Sequence, residues 1–174
     1  MTANEFETPR LALRRLSPDD AEFILGLVNE PSWLRYIGDR GVRTPDDARA
    51  YILNGPVASY AKHGFGLFLT LRKEDGVPIG MCGLLKRDTL PDADVGFAFL
   101  PQFWSKGYAF EAVTATLAYG RAVHGLKRVV AITSPDNAGS IRVLEKLGLR
   151  YEKMMQLSAT TPEIKLFAID FPPT

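Results

Sequence analysis

The sequence has one cysteine, two histidines and two tryptophans among its 174 residues, and these scarcities narrow the chemistry open to it. A lone thiol excludes an internal disulfide, which makes a reducing compartment the simplest expectation. Cys82 lies in the apolar run 79–85 with no histidine nearby in sequence, so it reads as an inert core thiol and not as a nucleophile. His63 and His124 stand near expected helix ends, outside any motif, and no metal is expected. No apolar run reaches the roughly 20 residues of a membrane-spanning helix, and residues 1–9 are polar and acidic rather than signal-like. The expectation is a cytoplasmic protein with no membrane partner. A net charge of +1 without any block of lysine or arginine argues against electrostatic binding to nucleic acid.

Core-forming residues, by contrast, are abundant. An apolar fraction of 46% with 24% charged residues suits one globular domain, expected to span residues 1–174, and no repeat, linker or low-complexity tract interrupts it. Residues 10–14 alternate like a half-buried strand, and Ser17-Pro18-Asp19-Asp20 then supplies a cap, a first-turn proline and early acids for a helix over 18–29. Pro31 breaks that helix and 33–37 forms a short turn. Thr44-Pro45-Asp46-Asp47 repeats the cap signal for a helix reaching residue 62, kinked or split at Gly55-Pro56. Strands are expected at 65–72 and 77–85 as a hairpin, then at 94–100, 129–133, 149–157 and 163–171, with helices after residue 109 and over 137–147. The fold class is α/β: a single mixed, mainly antiparallel sheet flanked by helices on both faces.

The most informative stretch is Trp104-Ser105-Lys106-Gly107-Tyr108-Ala109, which follows the strand 94–100 and leads into a helical pattern beginning Phe110-Glu111-Ala112-Val113. A helix start carries unpaired N–H groups and the positive end of the dipole, so it holds a phosphate without a dedicated side chain. Gly107 lets the backbone approach an anion closely. A Walker-type loop is excluded because Lys106 precedes the glycine, and the dinucleotide fingerprint fails because only one of its three glycines is present.

This loop resembles the acyl-coenzyme A pyrophosphate loop of the GNAT N-acetyltransferase superfamily: Gln or Arg, two residues, Gly, one residue, then Gly or Ala. Gly107 and Ala109 match the last two fixed positions, and Trp104 stands in the first. The ribosomal-protein N-terminal acetyltransferase branch (RimJ/RimL type) often reads Trp-Gly-Lys-Gly-Tyr-Ala-Thr-Glu-Ala there. Ser105 for Gly and Phe110 for Thr are departures, and the first puts a side chain close to the expected diphosphate. About thirty residues on, Asn137-Ala138-Gly139-Ser140 through Lys146-Leu147-Gly148-Leu149 resembles the superfamily's Asn-x-x-Ser-x-x-x-x-x-Lys-x-Gly-Phe stretch, with Leu149 for Phe. Two motifs in order are far more specific than either alone. Weaker matches upstream, Arg10-Leu11-Ala12-Leu13-Arg14 and Val95-Gly96-Phe97, extend the resemblance over nearly the whole chain.

The resemblance implies acetyl-coenzyme A as donor and an amine acceptor, a peptide N-terminus or a small molecule, joined by direct attack without a covalent enzyme intermediate. It also implies that the strand 94–100 splays from its neighbour, so that backbone groups around Phe97, Ala98 and Phe99 pair with the pantetheine arm. The loop Trp104 to Ala109, that is Trp104, Ser105, Lys106, Gly107, Tyr108 and Ala109, would take the diphosphate, and Asn137 and Ser140 would face the coenzyme. Asn137 also reads as a helix N-cap, and Ser140, a candidate leaving-group donor, reads otherwise as a solvated hydroxyl. Asp94, rather than Asp92, is the candidate base acting through a water, with a turn-forming aspartate as the plain alternative. Glu111 is explained by the helix dipole, while Trp33 and Tyr36 either shape an acceptor site or pack the core. Three functions stay open: acetylation of a protein α-amine, acetylation of a small-molecule amine, and non-catalytic acyl-coenzyme A binding. Monomer and homodimer are both compatible with the sequence.

Overall fold

The computed structural model describes residues 3–173, so Met1, Thr2 and Thr174, which the expected domain also spans, lie outside it. The alternation at the start of the chain becomes β2 (Leu11–Arg14). Before it runs a strand that the sequence pattern does not announce, β1 (Asn4–Glu7). β1 is polar apart from Phe6, whose ring stacks on Tyr119 at 4.8 Å and meets Phe68 edge-on, so one aromatic anchor holds this sheet edge.

Both expected caps form, each as a capping box. Ser17 opens the turn Pro18–Asp20 that leads into α1 (Ala21–Val28), and Thr44 Oγ1 accepts the Asp47 N–H at 3.1 Å to open α3 (Pro45–Ile52). Pro31 does more than end α1. It is the first residue of α2 (Pro31–Tyr36), where a missing N–H forfeits no helical bond. At Gly55-Pro56 the chain stays helical through a π turn, Leu53–Val57, into α4 (Ala58–His63), which stops at Gly64 with φ 79°. The turn absorbs the proline within its wider loop of backbone.

The sheet continues with β3 (Leu67–Arg72), β4 (Val77–Leu85) and β5 (Asp94–Phe99), then α5 (Tyr108–His124), β6 (Arg128–Thr133), α6 (Ala138–Lys146), β7 (Arg150–Met155) and β8 (Ile164–Asp170). Strand order is β1-β2-β3-β4-β5-β6-β8-β7, antiparallel throughout except for the parallel pair β5–β6. α5 and α6 pack on one face through Ala112, Val113 and Leu144 against Cys82, Leu84 and Val129. α1 and α3 cover the other through Ile24, Leu27 and Ile52 against Leu69 and Met81. Cys82 is fully buried, its Sγ 3.3 Å from Thr116 Oγ1, and burial pushes the thiol pKa up to about 12.

Candidate active site

The two central strands barely touch. β5 and β6 share one rung, Asp94 opposite Val130, with the Val130 N–H bonded to the Ala93 carbonyl at 3.0 Å. Beyond it, toward the C-terminal ends of both strands, the ladder stops. The other side of β5 is fully paired with β4, from Asp94–Leu85 to Phe99–Gly80. Because the Leu100 N–H bonds to the Ile79 carbonyl, antiparallel alternation directs the backbone groups of Ala98 and Gly96 toward β4 and those of Val95, Phe97 and Phe99 into the gap. The Phe99 carbonyl is taken by the Trp104 indole N–H at 2.8 Å. The remaining edge groups of β5 are left for a ligand that can hydrogen-bond as a strand does.

Parallel strands send their following helices from the same end of the sheet, so α5 and α6 both begin at the open end of the gap. α5 starts at Tyr108, two residues earlier than the apolar pattern suggests, because left-handed Gly107 (φ 83°) serves as its N-cap. Glycine has no side chain to cap with, and the first helical bond is Glu111 N–H to the Gly107 carbonyl at 3.0 Å. The N–H groups of Tyr108, Ala109 and Phe110 therefore have no helical partner, as an anion site requires. Trp104, Ser105, Lys106 and Gly107 are exposed, whereas the Tyr108 ring is buried beneath the Arg10 guanidinium, 4.4 Å from the ring centroid. Ser105 keeps the glycine-like conformation of the loop, φ 62°, and is the only non-glycine residue with positive φ among the described residues. A side chain there costs roughly 1 kcal/mol. Ser105→Gly is accordingly expected to raise stability by about 0.5–1 kcal/mol in urea unfolding; a loss of stability would mean that the serine side chain holds the loop.

At the other helix, the Asn137 side chain accepts the Ser140 N–H at 3.3 Å and so caps α6. Its amide N–H groups and the Ser140 hydroxyl make no hydrogen bond among the described residues, and Ser140 is half-buried on the first turn. At the closed end of the gap, Asp94 is 1% exposed and Arg87 Nε lies 3.4 Å from each carboxylate oxygen. That contact is long for a charge-assisted bond, and Oδ1 has no hydrogen-bond partner. Burial pushes the Asp94 pKa up to about 6, partly offset by the Arg87 charge. Asp92, in contrast, is committed to Arg128 at 3.3 Å.

An open strand edge between two helix starts, one uncapped and left-handed at its approach, offers an extended ligand both strand-type partners and an anion site, and comparison with known proteins gives the family. The pattern of the acetyltransferase (GNAT) domain matches residues 10–150. The chain belongs to the GNAT acetyltransferase family. It is therefore an acyltransferase. It is 30% identical over 145 residues to the uncharacterized N-acetyltransferase YnaD of Bacillus subtilis (strain 168), covering 83% of this chain and 82% of that protein. A GNAT-family acetyltransferase from Bacillus anthracis superposes with a TM-score of 0.76 at 26% identity, over 97% of each chain. The fold is shared too by RimL, the ribosomal L7/L12 alpha-N-protein acetyltransferase, in its complex with coenzyme A, with a TM-score of 0.81 at 15% identity over 97% of this chain and 98% of that one.

In this GNAT chain the structure also supplies site residues for which the sequence offered no role. Arg10 donates from its Nη1 to the Lys106 carbonyl at 2.9 Å, while its Nε and backbone N–H bond to the Glu111 carboxylate at 2.7 and 3.0 Å. Glu111, read from sequence as a dipole partner, thus ties the β1–β2 connection to the anion loop and also accepts from the Thr8 hydroxyl. Arg87 carried no motif. Trp33 is core, 5% exposed, whereas Tyr36 is half-buried and its carbonyl takes the Ser134 hydroxyl at 2.8 Å, joining α2 to the turn before α6. His63 and His124 close α4 and α5, and His124 Nε2 pairs with the Tyr119 hydroxyl at 3.0 Å.

Proposed function

We propose that the protein transfers the acetyl group of acetyl-coenzyme A to a primary amine, foremost the α-amine of a protein N-terminus, by direct attack with both substrates bound. The observation that carries this is the single-rung pairing of β5 and β6. It leaves the Val95 carbonyl, both backbone groups of Phe97 and the Phe99 N–H free to pair with the pantetheine amides and to direct an N–H at the thioester carbonyl. An oxyanion-type donor of that kind is worth about 3–4 kcal/mol. The N–H groups of Tyr108, Ala109 and Phe110, with Trp104 to Gly107, would hold the diphosphate. Support for an N-terminal acceptor comes from the likeness to RimL, whose acceptor is a ribosomal protein α-amine. An α-amine with a pKa near 8 also asks less of a base than a lysine does.

Asp94 would accept the amine proton through a water, and Ser140 would donate to the departing thiolate. A thiol with a pKa near 8.5 leaves readily, so the hydroxyl assists rather than enables. Ser140→Ala is expected to lower turnover about tenfold with coenzyme A affinity nearly unchanged; equal turnover would remove the donor role. We place the protein in the cytoplasm, consistent with one reduced, buried thiol and with no helix among the described residues long and apolar enough to cross a membrane. The deciding experiment is steady-state release of coenzyme A from acetyl-coenzyme A with N-terminal peptides, polyamines and aminoglycosides. Turnover confined to peptides supports the proposal, and turnover confined to polyamines or aminoglycosides replaces its acceptor. Tight coenzyme binding with no turnover points to a binding domain.

A further inference from the structure

Four buried side-chain polar atoms have no hydrogen-bond partner among the described residues: Trp33 Nε1, Thr70 Oγ1, Asp94 Oδ1 and Thr133 Oγ1. A buried polar atom left unpaired costs stability, so each calls for a partner from outside the chain or for another explanation. Asp94 and Thr133 stand at opposite ends of the strand gap, Asp94 at its closed end and Thr133, 7% exposed, as the last residue of β6. Comparable hydroxyls nearby are satisfied. Ser134, the next residue, donates to the Tyr36 carbonyl at 2.8 Å, and Thr116, buried in α5, donates back to the Ala112 carbonyl at 2.8 Å. In a strand the carbonyls point sideways to neighbouring strands while the side chain stands out of the sheet, so Thr133 has no such carbonyl within its own element.

Register places that hydroxyl. Asp94 lies opposite Val130, so three residues further along each strand Thr133 stands level with Phe97 across the gap. The two side chains share a face of the sheet, because Thr133 alternates in step with Val129 and Ala131, which pack with Phe97 into the core beneath α5 and α6. Phe97 is also the residue of β5 whose two backbone groups are both free toward the gap. A ligand that runs through the gap and pairs with Phe97 therefore passes beside Thr133. Thr70, the other unpaired strand hydroxyl, has no such opening: it is 0% exposed, and its strand is paired on both sides, at Leu13 and at Gly80.

We infer that Thr133 is a further coenzyme-binding residue, whose buried hydroxyl completes its hydrogen bonding on a pantetheine amide held at Phe97. This rests on the coenzyme placement proposed above. A hydroxyl both donates and accepts, so it suits either group of a secondary amide. The ligand-free protein then carries the cost of the unpaired hydroxyl, and bound coenzyme relieves it.

The test is calorimetric titration of the full-length protein with coenzyme A and with 3′-phospho-ADP, which is the coenzyme without its pantetheine arm, together with urea unfolding in the absence of ligand. Thr133→Val keeps the side-chain shape and removes the unpaired hydroxyl. It should raise the urea midpoint, weaken coenzyme A about fivefold, the size of one neutral hydrogen bond, and leave 3′-phospho-ADP within about twofold. Thr133→Ser should return coenzyme A affinity to within about twofold of native. Thr70→Val should raise the midpoint and change neither affinity. Unchanged coenzyme A affinity in Thr133→Val overturns the inference, and so does a serine variant as weak as the valine one, which would trace the loss to packing. Equal weakening of both ligands moves the contact to the nucleotide end and overturns the pantetheine assignment. A lowered midpoint in Thr133→Val would mean that the hydroxyl has a partner within the protein, which also overturns it. Failure of the native protein to bind coenzyme A overturns the coenzyme placement and this inference with it.

Discussion

Asp94→Asn is expected to lower kcat by about 10²-fold or more and to erase the limb of the pH–rate profile near pH 6. In the native protein the Asp94 pKa is pushed up to about 6, chiefly by burial and against the opposing charge of Arg87. The rate should therefore rise with pH through that value, as the carboxylate becomes able to accept a proton. The same shift acts on stability with the opposite preference. A carboxyl whose folded pKa exceeds its unfolded value, near 3.9, favours the folded state while protonated. Its contribution is fully present below the unfolded value and is lost as pH rises through about 6. Urea midpoints of the native protein should fall across that window, and those of Asp94→Asn should lack the step. A kinetic limb that survives the substitution would assign the base to another group. A limb that disappears while stability keeps its step would mean that a different buried acid titrates there.

Gly107→Val should weaken coenzyme A binding by about 10²-fold while leaving the rest of the fold intact. The backbone at 107 is left-handed, φ 83°, a conformation that a β-branched residue adopts only with strain. A Cβ there would also stand 3.2 Å from Arg10 Nη2, part of the guanidinium that holds the Lys106 carbonyl. Turning this peptide away removes one or two charge-assisted hydrogen bonds to a phosphate, each worth about 1.5–3 kcal/mol. Calorimetric titration with coenzyme A reads the loss directly, and far-ultraviolet circular dichroism checks the helices. Unchanged affinity would place the diphosphate elsewhere. Gly107→Ala, with the backbone cost but a smaller side chain, should fall between.

Much of this site is legible in sequence because its signals are local. The glycine before a helix, the Asn137 cap and the Ser-Pro-Asp-Asp and Thr-Pro-Asp-Asp starts each act over one helical turn, and hydrophobic periodicity acts over one element. β1 escaped notice because Phe6 alone anchors it, through rings of distant residues. Trp33 stood equally for an acceptor wall and for core until the packing of α1 and α3 buried it. Arg10 and Lys106 meet across 96 positions of sequence, and Arg10 and Glu111 across 101, so no local pattern announces that they brace one loop.

The sequence by itself determined the order and type of most elements, the glycine loop before α5, the cap of α6 and, through the paired motifs, the family. Those properties follow from backbone conformation and side-chain pattern within a few residues. Only the tertiary structure decided that β5 and β6 part after one rung and that Asp94 is buried against Arg87. Each of these depends on which strands lie side by side and which loops fold over them. That arrangement is set by burial of the whole sheet between its two helical layers, a balance summed over the molecule and absent from any single stretch of it.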